Sequence, residues 1–355
     1  MADALGPGTV IASRYRIEHE LGTGGAGTTY LVVDELRATQ VALKVLHGER
    51  ALAGHELRLL RGLSHPSLAR MRDFGQSSDG RLFYTADYVQ GVALDDDSLT
   101  WAVTAKACVG ALEALRWLHA VGIRHGDVKG ENILVRGQEG VLIDLSCAAR
   151  FGPPAWVSGT PGYIAPEVVA GEAADGHADR FAVGVMLERL LASRKVSART
   201  AKSLVKLAGD CRSAEPAARP ELSEVVAALG AEPVPLAAPY VEPVAVIGRD
   251  DEVAQIERFL DGATGAALLV VGDEGAGKSR LLEETRWLAR ERYRVVEGDA
   301  SAPEGVAAML RRAVDDPALP DDPVAAIEAV RRLRAPTLFV LDDVDAADDH
   351  GVAIA

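Results

Sequence analysis

The chain has 355 residues, enough for two domains and part of a third at roughly 150 residues each. Its 48% apolar and 25% charged residues exclude disorder, collagen-like repeats and coiled coil. Thirty-eight Lys and Arg against 52 Asp and Glu leave a net charge of −14, which argues against general nucleic-acid binding and against an anionic membrane surface as a resting place. Cys108, Cys147 and Cys211 lie far apart with no CxxC pair, so neither a disulfide scaffold nor a zinc ribbon is expected, and a reducing, cytoplasmic setting is. No apolar run reaches the ~18 residues of a membrane span, and Met1–Val10 lacks the basic start and apolar core of a signal peptide.

In chain order, β-like runs come first: Tyr15–Glu20, Thr28–Val33, Val41–Leu46 and Leu82–Tyr88, each rich in Val, Leu, Thr or Tyr and bounded by Gly or Asp. Helical periodicity then dominates, in Ala102–Val121 and Asp179–Ala192. A β-rich start before a helix-rich remainder suggests two lobes. Residues 230–244 carry Pro233, Pro235, Pro239 and Pro243, a density that prevents helix and favours an extended spacer. Beyond it the pattern alternates: β at Ala266–Val271, helix at Lys278–Arg292, β at Val295–Glu297, then helix and β at Thr337–Leu341. That is an α/β pattern with a parallel sheet. Residues 299–355 hold 12 acidic and 5 basic residues, half the net charge, read as a solvated acidic surface.

Gly22-Thr23-Gly24-Gly25-Ala26-Gly27 fits G-x-G-x-x-G, a weak signal alone, since a glycine-rich turn has the same composition. Here the loop joins two β-like runs, whereas a dinucleotide fingerprint opens a helix. Without a Cβ in the way, its N–H groups can close over phosphates. Lys44 follows on a strand, with Glu56 on the helix-like Ala51–Gly62 as a candidate partner that holds it against the α- and β-phosphates. His125-Gly126-Asp127-Val128-Lys129-Gly130-Glu131-Asn132 is far more specific. Asp127 is placed to accept the proton of an incoming hydroxyl, Lys129 to neutralise the γ-phosphate and Asn132 to ligate Mg²⁺. Asp144, at the end of a β-like run, adds a second carboxylate for the metal.

These motifs, with Ala165-Pro166-Glu167, occur in order over residues 13–229, which resemble a bacterial protein kinase domain of the eukaryotic Ser/Thr type. The resemblance implies an α+β two-lobed kinase fold with N-lobe 13–86, hinge 87–91 and C-lobe 92–229, using ATP and Mg²⁺ or Mn²⁺. It implies that the backbone of Asp87 and Val89 holds the adenine edge, that Thr29, Ala42 and Leu134 sandwich the ring, and that Ala86 is the residue guarding a back pocket. It implies a hydrophobic column of Leu60, Met71, His125 and Leu145, a buried Asp179 beneath the catalytic loop, a Glu167–Arg219 ion pair, and Thr160 bridging Asp127 and Lys129. Asp127-x-Lys129 and Gly159-Thr160-Pro161-Gly162-Tyr163 are the Ser/Thr pattern, so protein Ser/Thr hydroxyls, its own included, are the expected acceptors.

Four departures stand out. Gly126 replaces the family's Arg, which pairs with an activation-loop phosphate, so activation without a phosphate held there is expected. Asp144-Leu145-Ser146 replaces Asp-Phe-Gly. From Asp179 to Arg219 the chain is short in the region that docks substrates, and from Lys44 to Glu56 it is compact. The rival readings are an ATP-binding pseudokinase scaffold and a P-loop switch with a kinase-like interaction module.

A second nucleotide site follows the linker. Gly272-Asp273-Glu274-Gly275-Ala276-Gly277-Lys278-Ser279 fits G-x-x-x-x-G-K-[ST] directly after an apolar run. Backbone N–H groups at a helix start would wrap the phosphates, with Gly272 and Gly277 in the loop, Lys278 on the β- and γ-phosphates and Ser279 on Mg²⁺. Leu338–Leu341 ends in Asp342, the expected metal partner, and Asp343, placed to polarise water. Val246-Ile247-Gly248-Arg249-Asp250-Asp251-Glu252 resembles the segment that opens AAA-like ATPase domains of bacterial regulators. Residues 245–355 are thus expected to form a partial α/β P-loop NTPase domain, regulatory or vestigial, without the sensor, arginine finger and lid of that family, binding ATP weakly and hydrolysing it poorly.

Overall fold

Alternation of inward apolar and outward polar residues builds the first sheet. In β2 (Tyr15–Gly24), Tyr15 and Ile17 are buried and Arg16 is exposed; beyond them the strand runs out into solvent. It pairs antiparallel with β1 (Val10–Ile11) and with β3 (Gly27–Asp34), which pairs antiparallel with β4 (Thr39–Leu46). With β5 (Met71–Gln76) and β6 (Leu82–Asp87) the order is β1-β2-β3-β4-β6-β5. Tyr15, Ile17, Tyr30, Val32, Leu43, Val45 and Phe83 close its core, each large apolar side chain contributing about 1.5–3 kcal/mol by leaving water. The computed structural model describes residues 5–47, 60, 62–77, 80–153, 157–236, 249–262, 267–273, 275–289, 292–299, 305–314, 316, 318–319, 323–333 and 336–342.

By its contacts the chain separates into two units. The first holds the described residues up to 47, those of 72–86 and those from 249 on; the second holds those of 60–71 and 87–236.

The second unit is organised by α1 (Trp101–Ala120), which buries Ala107, Cys108, Ala111, Leu112, Leu115 and Leu118 on one side. Against it lies a small sheet, β10-β9-β7, from Glu139–Leu142, Ile133–Arg136 and Val92–Ala93. A second ribbon pairs β8 (Ile123–Arg124) with β11 (Ala149–Arg150). The catalytic-loop candidates lie between β8 and β9, and Asp144 follows β10. The helices α2 (Pro166–Val169), α3 (Gly176–Ser193), α4 (Ala198–Cys211) and α5 (Leu222–Ala228) complete the unit. Asp175 caps α3 by accepting from His177 N at 2.8 Å. At the start of the expected spacer Val234 N donates to Glu113 Oε1 at 3.1 Å and Val234 O accepts from Arg116 at 3.0 Å.

After the spacer come α6 (Asp250–Gly262), α7 (Lys278–Ala289), β12 (Arg294–Asp299), α8 (Gly305–Val314), α9 (Pro323–Arg331) and β13 (Thr337–Asp342). The strands β12 and β13 are parallel, Glu297 opposite Val340 and Asp299 opposite Asp342. Ile256, Leu260, Leu281 and Leu288 join Val295 and Leu338 in one core. The strand expected at Ala266–Val271 is corrected: its described part, residues 267–271, joins no ladder, and Leu269 and Val271 are exposed. An apolar run becomes a strand only where a neighbour accepts from its N–H groups and donates to its C=O groups, and β12 and β13 pair with each other. Among the described residues no helix is long and apolar enough to cross a membrane.

Candidate active site

The loop after β8 is held from beneath by one carboxylate. Asp179 Oδ2 accepts from His125 N and Oδ1 from Gly126 N, both at 2.8 Å, and His119 Nε2 lies 2.8 Å from Oδ2. Burial alone would raise the Asp179 pKa; the His119 hydrogen bond, the nearby His119 and His125 rings and the Gly126 amide outweigh it and hold the pKa below its usual value. His125 Nδ1 accepts from Asp127 N at 3.3 Å while its Nε2 faces Ile143 O at 3.0 Å, so the ring ties the loop to the strand that leads to Asp144.

Asp127 is fixed at both oxygens. Oδ1 accepts from Thr160 N at 2.8 Å, and Oδ2 accepts from Asn132 Nδ2 at 2.9 Å. The same amide donates to Asp127 O at 2.8 Å. Lys129 Nζ lies 3.4 Å from Asp127 Oδ2 and 3.1 Å from Glu131, and donates to Thr160 Oγ1 at 2.8 Å. Burial works against the Lys129 charge, but Asp127 and Glu131 raise its pKa above the ordinary lysine value, so it is an ammonium at neutral pH. Thr160 therefore bridges Asp127 and Lys129.

Asp144 adopts φ +64°, ψ +77°, a left-handed conformation that costs a non-glycine residue energy, and caps the single turn Leu145–Cys147 by accepting from Ser146 N at 3.2 Å. Gly126, at φ +80°, has the Cys147 carbonyl oxygen where a Cβ would stand. Gly126 thus packs on the turn Leu145–Cys147 that carries Ser146. Leu60, Met71, His125 and Leu145 are all buried. Arg219 grips Glu167 with two bonds, at 2.6 and 2.8 Å, and donates to His177 O and Ser213 O. In the hinge segment Asp87 N donates to Arg70 O at 3.0 Å, and Val89 packs with Val141, beside Leu134 and Ile143.

In the first unit, Gly24 and Gly27 face each other at the tip of the β2–β3 hairpin. A Cβ at Gly27 would overlap the Val45 carbonyl oxygen, so glycine is required there. Gly22 is exposed on β2 opposite Thr29. Thr29 lies opposite Lys44, and Leu31 opposite Ala42, which puts Thr29, Ala42 and Lys44 on one face of the sheet. Lys44 is buried. Glu56 lies outside the described residues, as do Val246–Gly248 and Asp343. Further along, Lys278 Nζ donates to the carbonyls of Gly272 and Asp273 at 3.0 and 3.2 Å, with Gly275 and Gly277 at φ +76° and +83°. Arg249, just before α6, donates to Ala276 O at 2.7 Å, tying the start of that helix to the loop before α7. Ser279 follows Lys278 in the first turn of α7, and Asp342 ends β13. The sequence reading missed His119, whose signal is only its place near the end of α1, and the Arg249–Ala276 bond, which no pattern announces.

Residues 15–225 match the family model described as a protein kinase domain. The chain belongs to the protein kinase family. Its kinase domain is 33% identical over 208 residues to the serine/threonine-protein kinase pkn2 of Myxococcus xanthus, covering 52% of this chain and 25% of that protein. It is 35% identical over 212 residues to PknJ of Mycobacterium tuberculosis, covering 54% and 36%, and 34% identical over 205 residues to the DNA damage-responsive kinase RqkA of Deinococcus radiodurans, covering 52% and 31%. The match thus spans about a quarter to a third of each relative. A double mutant of the M. tuberculosis PknI kinase domain superposes with a TM-score of 0.52 at 25% identity, over 64% of this chain and 98% of that one.

Proposed function

We propose that the chain is a Ser/Thr protein kinase that moves the γ-phosphoryl group of ATP to protein hydroxyls, its own included. The carrying observation is the bonded set Asp127, Asn132, Lys129 and Thr160. Asp127 orients the acceptor hydroxyl and takes its proton; both its oxygens are held, so little reorganisation is needed as the reaction begins. Lys129 stays charged and faces the same carboxylate, where it offsets negative charge on the group in transfer. Lys44, with Glu56 as its expected partner, steadies the α- and β-phosphates under the Gly22–Gly27 hairpin. Thr29, Ala42 and Leu134 enclose adenine, and Asp87 and Val89 meet its edge.

Asn132 and Asp144 would hold Mg²⁺. The donor set fits: Asn132 spends its amide N–H groups on Asp127, which leaves its oxygen for a cation. Two protein oxygens with phosphates and water completing the shell is the pattern Mg²⁺ prefers. When bound, the metal neutralises phosphate charge. Among the described residues no cluster of three or more His, Cys, Asp or Glu suggests a different metal site.

We assign residues 13–229 to the kinase domain, 230–244 to a linker and 245–355 to a P-loop segment of AAA-like kind. Gly272, Gly277, Lys278 and Ser279 would hold a nucleotide's phosphates and, with Asp342, its metal. The left-handed glycines and the inward-turned Lys278 ammonium support a loop shaped for anions. Three widely spaced cysteines with no CxxC pair and the need for ATP suit a cytoplasmic place of work. The test is transfer of labelled phosphate to protein by wild type and Asp127→Asn. Loss of transfer in the variant supports the reading; no transfer by a wild type that binds Mg-ATP would favour the pseudokinase reading, with Gly126 and Ser146 as its cause.

A further inference from the structure

The C-terminal segment does not stand apart from the kinase sheet. Trp287, on α7, is buried and packs on Phe74 of edge strand β5, ring centroids 4.7 Å apart at 49°. Close by, Arg14 gathers three acidic partners. It forks onto Asp34 with two bonds of 2.7 Å, reaches Asp73 at 3.2 Å, and reaches Glu297 of β12 at 3.3 Å. Tyr15 OH donates to the same Asp73 oxygen at 2.9 Å, and Arg286 faces the other Glu297 oxygen at 3.7 Å. Arg294 bonds to Ser13. Arg14 and Glu297 are largely buried, with side-chain exposures of 10% and 13%, so this pairing is little screened by salt. A cavity of about 460 Å³, lined by Tyr15, Phe83, Val296 and Arg311 among others, lies within the same contact.

One helix joins this contact to the glycine loop. The helix α7 begins at Lys278, and Trp287 lies nine residues on, about 14 Å along the axis at 1.5 Å per residue. Its other face packs, through Leu281 and Leu288, on Val295 and Leu338, so α7 moves with the strand that carries Glu297. On the kinase side β5 is hydrogen-bonded to β6, which runs into Asp87, and β6 neighbours β4, the strand of Lys44.

We propose that α7 is a lever: nucleotide at Gly272–Ser279 fixes its first turn, presses Trp287 onto Phe74 and Glu297 onto Arg14, and so stiffens the sheet that carries Lys44. The inference rests on the reading that this loop binds nucleotide. The lever needs only a few contacts with two settings, and coupling of this kind commonly amounts to 5-fold or more.

The test uses the full chain with Mg²⁺ and the β,γ-imido analogue of ATP, measuring bound nucleotide per chain and hydrogen exchange of the amides in residues 72–76. Wild type is expected to take two nucleotides and slow exchange there about fivefold. Lys278→Ala should take one and lose most of the slowing. Trp287→Leu should take two and lose it as well, with phosphate transfer to a general acceptor protein lowered by a similar factor. Equal stoichiometry in wild type and Lys278→Ala would overturn the P-loop reading and with it the lever. A fall from two to one with the slowing intact, or a Trp287→Leu chain that slows like wild type, would overturn the lever and leave the P-loop reading standing. Glu297→Gln, a smaller change, guards against misfolding of Trp287→Leu and should reduce the slowing in the same direction.

Discussion

Placing a single methyl group on Gly126 probes the catalytic loop at its tightest point. The residue has φ +80°, and a Cβ there would lie well under 3.0 Å from the Cys147 carbonyl oxygen, with the Cys147 carbonyl carbon and Arg124 Nη1 each at 3.2 Å. The left-handed conformation costs an L-residue about 1–2 kcal/mol, and forcing apart a packed contact costs about 1–3 kcal/mol. Gly126→Ala should therefore destabilise by about 2–5 kcal/mol, and a domain of this size loses about 2–4 °C per kcal/mol, so Tm should fall by about 4–20 °C. Relief by backbone shift would push the Asp144–Cys147 turn away from Asp127, because His125 N and Gly126 N are pinned on Asp179. The chemical step should then slow more than nucleotide binding weakens. Gly126→Arg, which writes in the residue usual in the family, should do the same and gain no dependence on a phosphorylated Ser158 or Thr160. Scanning fluorimetry, urea melts and single-turnover transfer read these effects. An unchanged Tm in both variants would refute the geometry, and strict phosphate dependence of the wild type would refute the functional reading of Gly126.

Asp179→Asn replaces an ionised acceptor of two backbone amides, worth about 1.5–3 kcal/mol per charged bond, and should lower the rate of transfer far more than the affinity for ATP, measured by turnover and nucleotide titration. Arg219→Ala leaves Glu167 buried without its cation and should cost about 3–5 kcal/mol in urea melts; Arg219→Lys should recover only part, since an ammonium cannot fork. Burial pushes the His65 pKa below its ordinary value despite Glu113, and its Nδ1 accepts from Ser67 N at 3.1 Å, so the neutral ring is the native form. The unfolded chain then binds the extra proton, and His65 contributes stability that is present above about pH 6.5 and lost as pH falls through its folded pKa. Urea melts from pH 7.5 to 5 should show a shallower loss in His65→Gln.

Motifs with fixed spacing were the most legible part of the sequence. Asp127, Lys129 and Asn132 stand within six residues of one another, so a loop that brings them together could be read from spacing, and four of the sheet strands because Val, Leu and Tyr alternate in them. The strand β5 was not expected: Met71-Arg72-Asp73-Phe74-Gly75-Gln76 carries two charges and a glycine, and the partners of buried Asp73 include Arg14 and Tyr15, far off in sequence. The reverse holds for residues 267–271, apolar enough for a strand but joined to no ladder among the described residues. His119 was unread because its role depends on Asp179, 60 residues later. That Trp287 packs on Phe74 is a fact of tertiary structure alone.

The central claim is that Asp127 and its hydrogen-bonded neighbours carry out phosphoryl transfer to protein. Purified full chain with labelled ATP and Mg²⁺, beside Asp127→Asn and Lys278→Ala, tests it directly. Label is expected on wild type, less on Lys278→Ala and none on Asp127→Asn. Label on Asp127→Asn at the wild-type rate, or none on a wild type that binds Mg-ATP and is offered a general Ser/Thr acceptor, would contradict it.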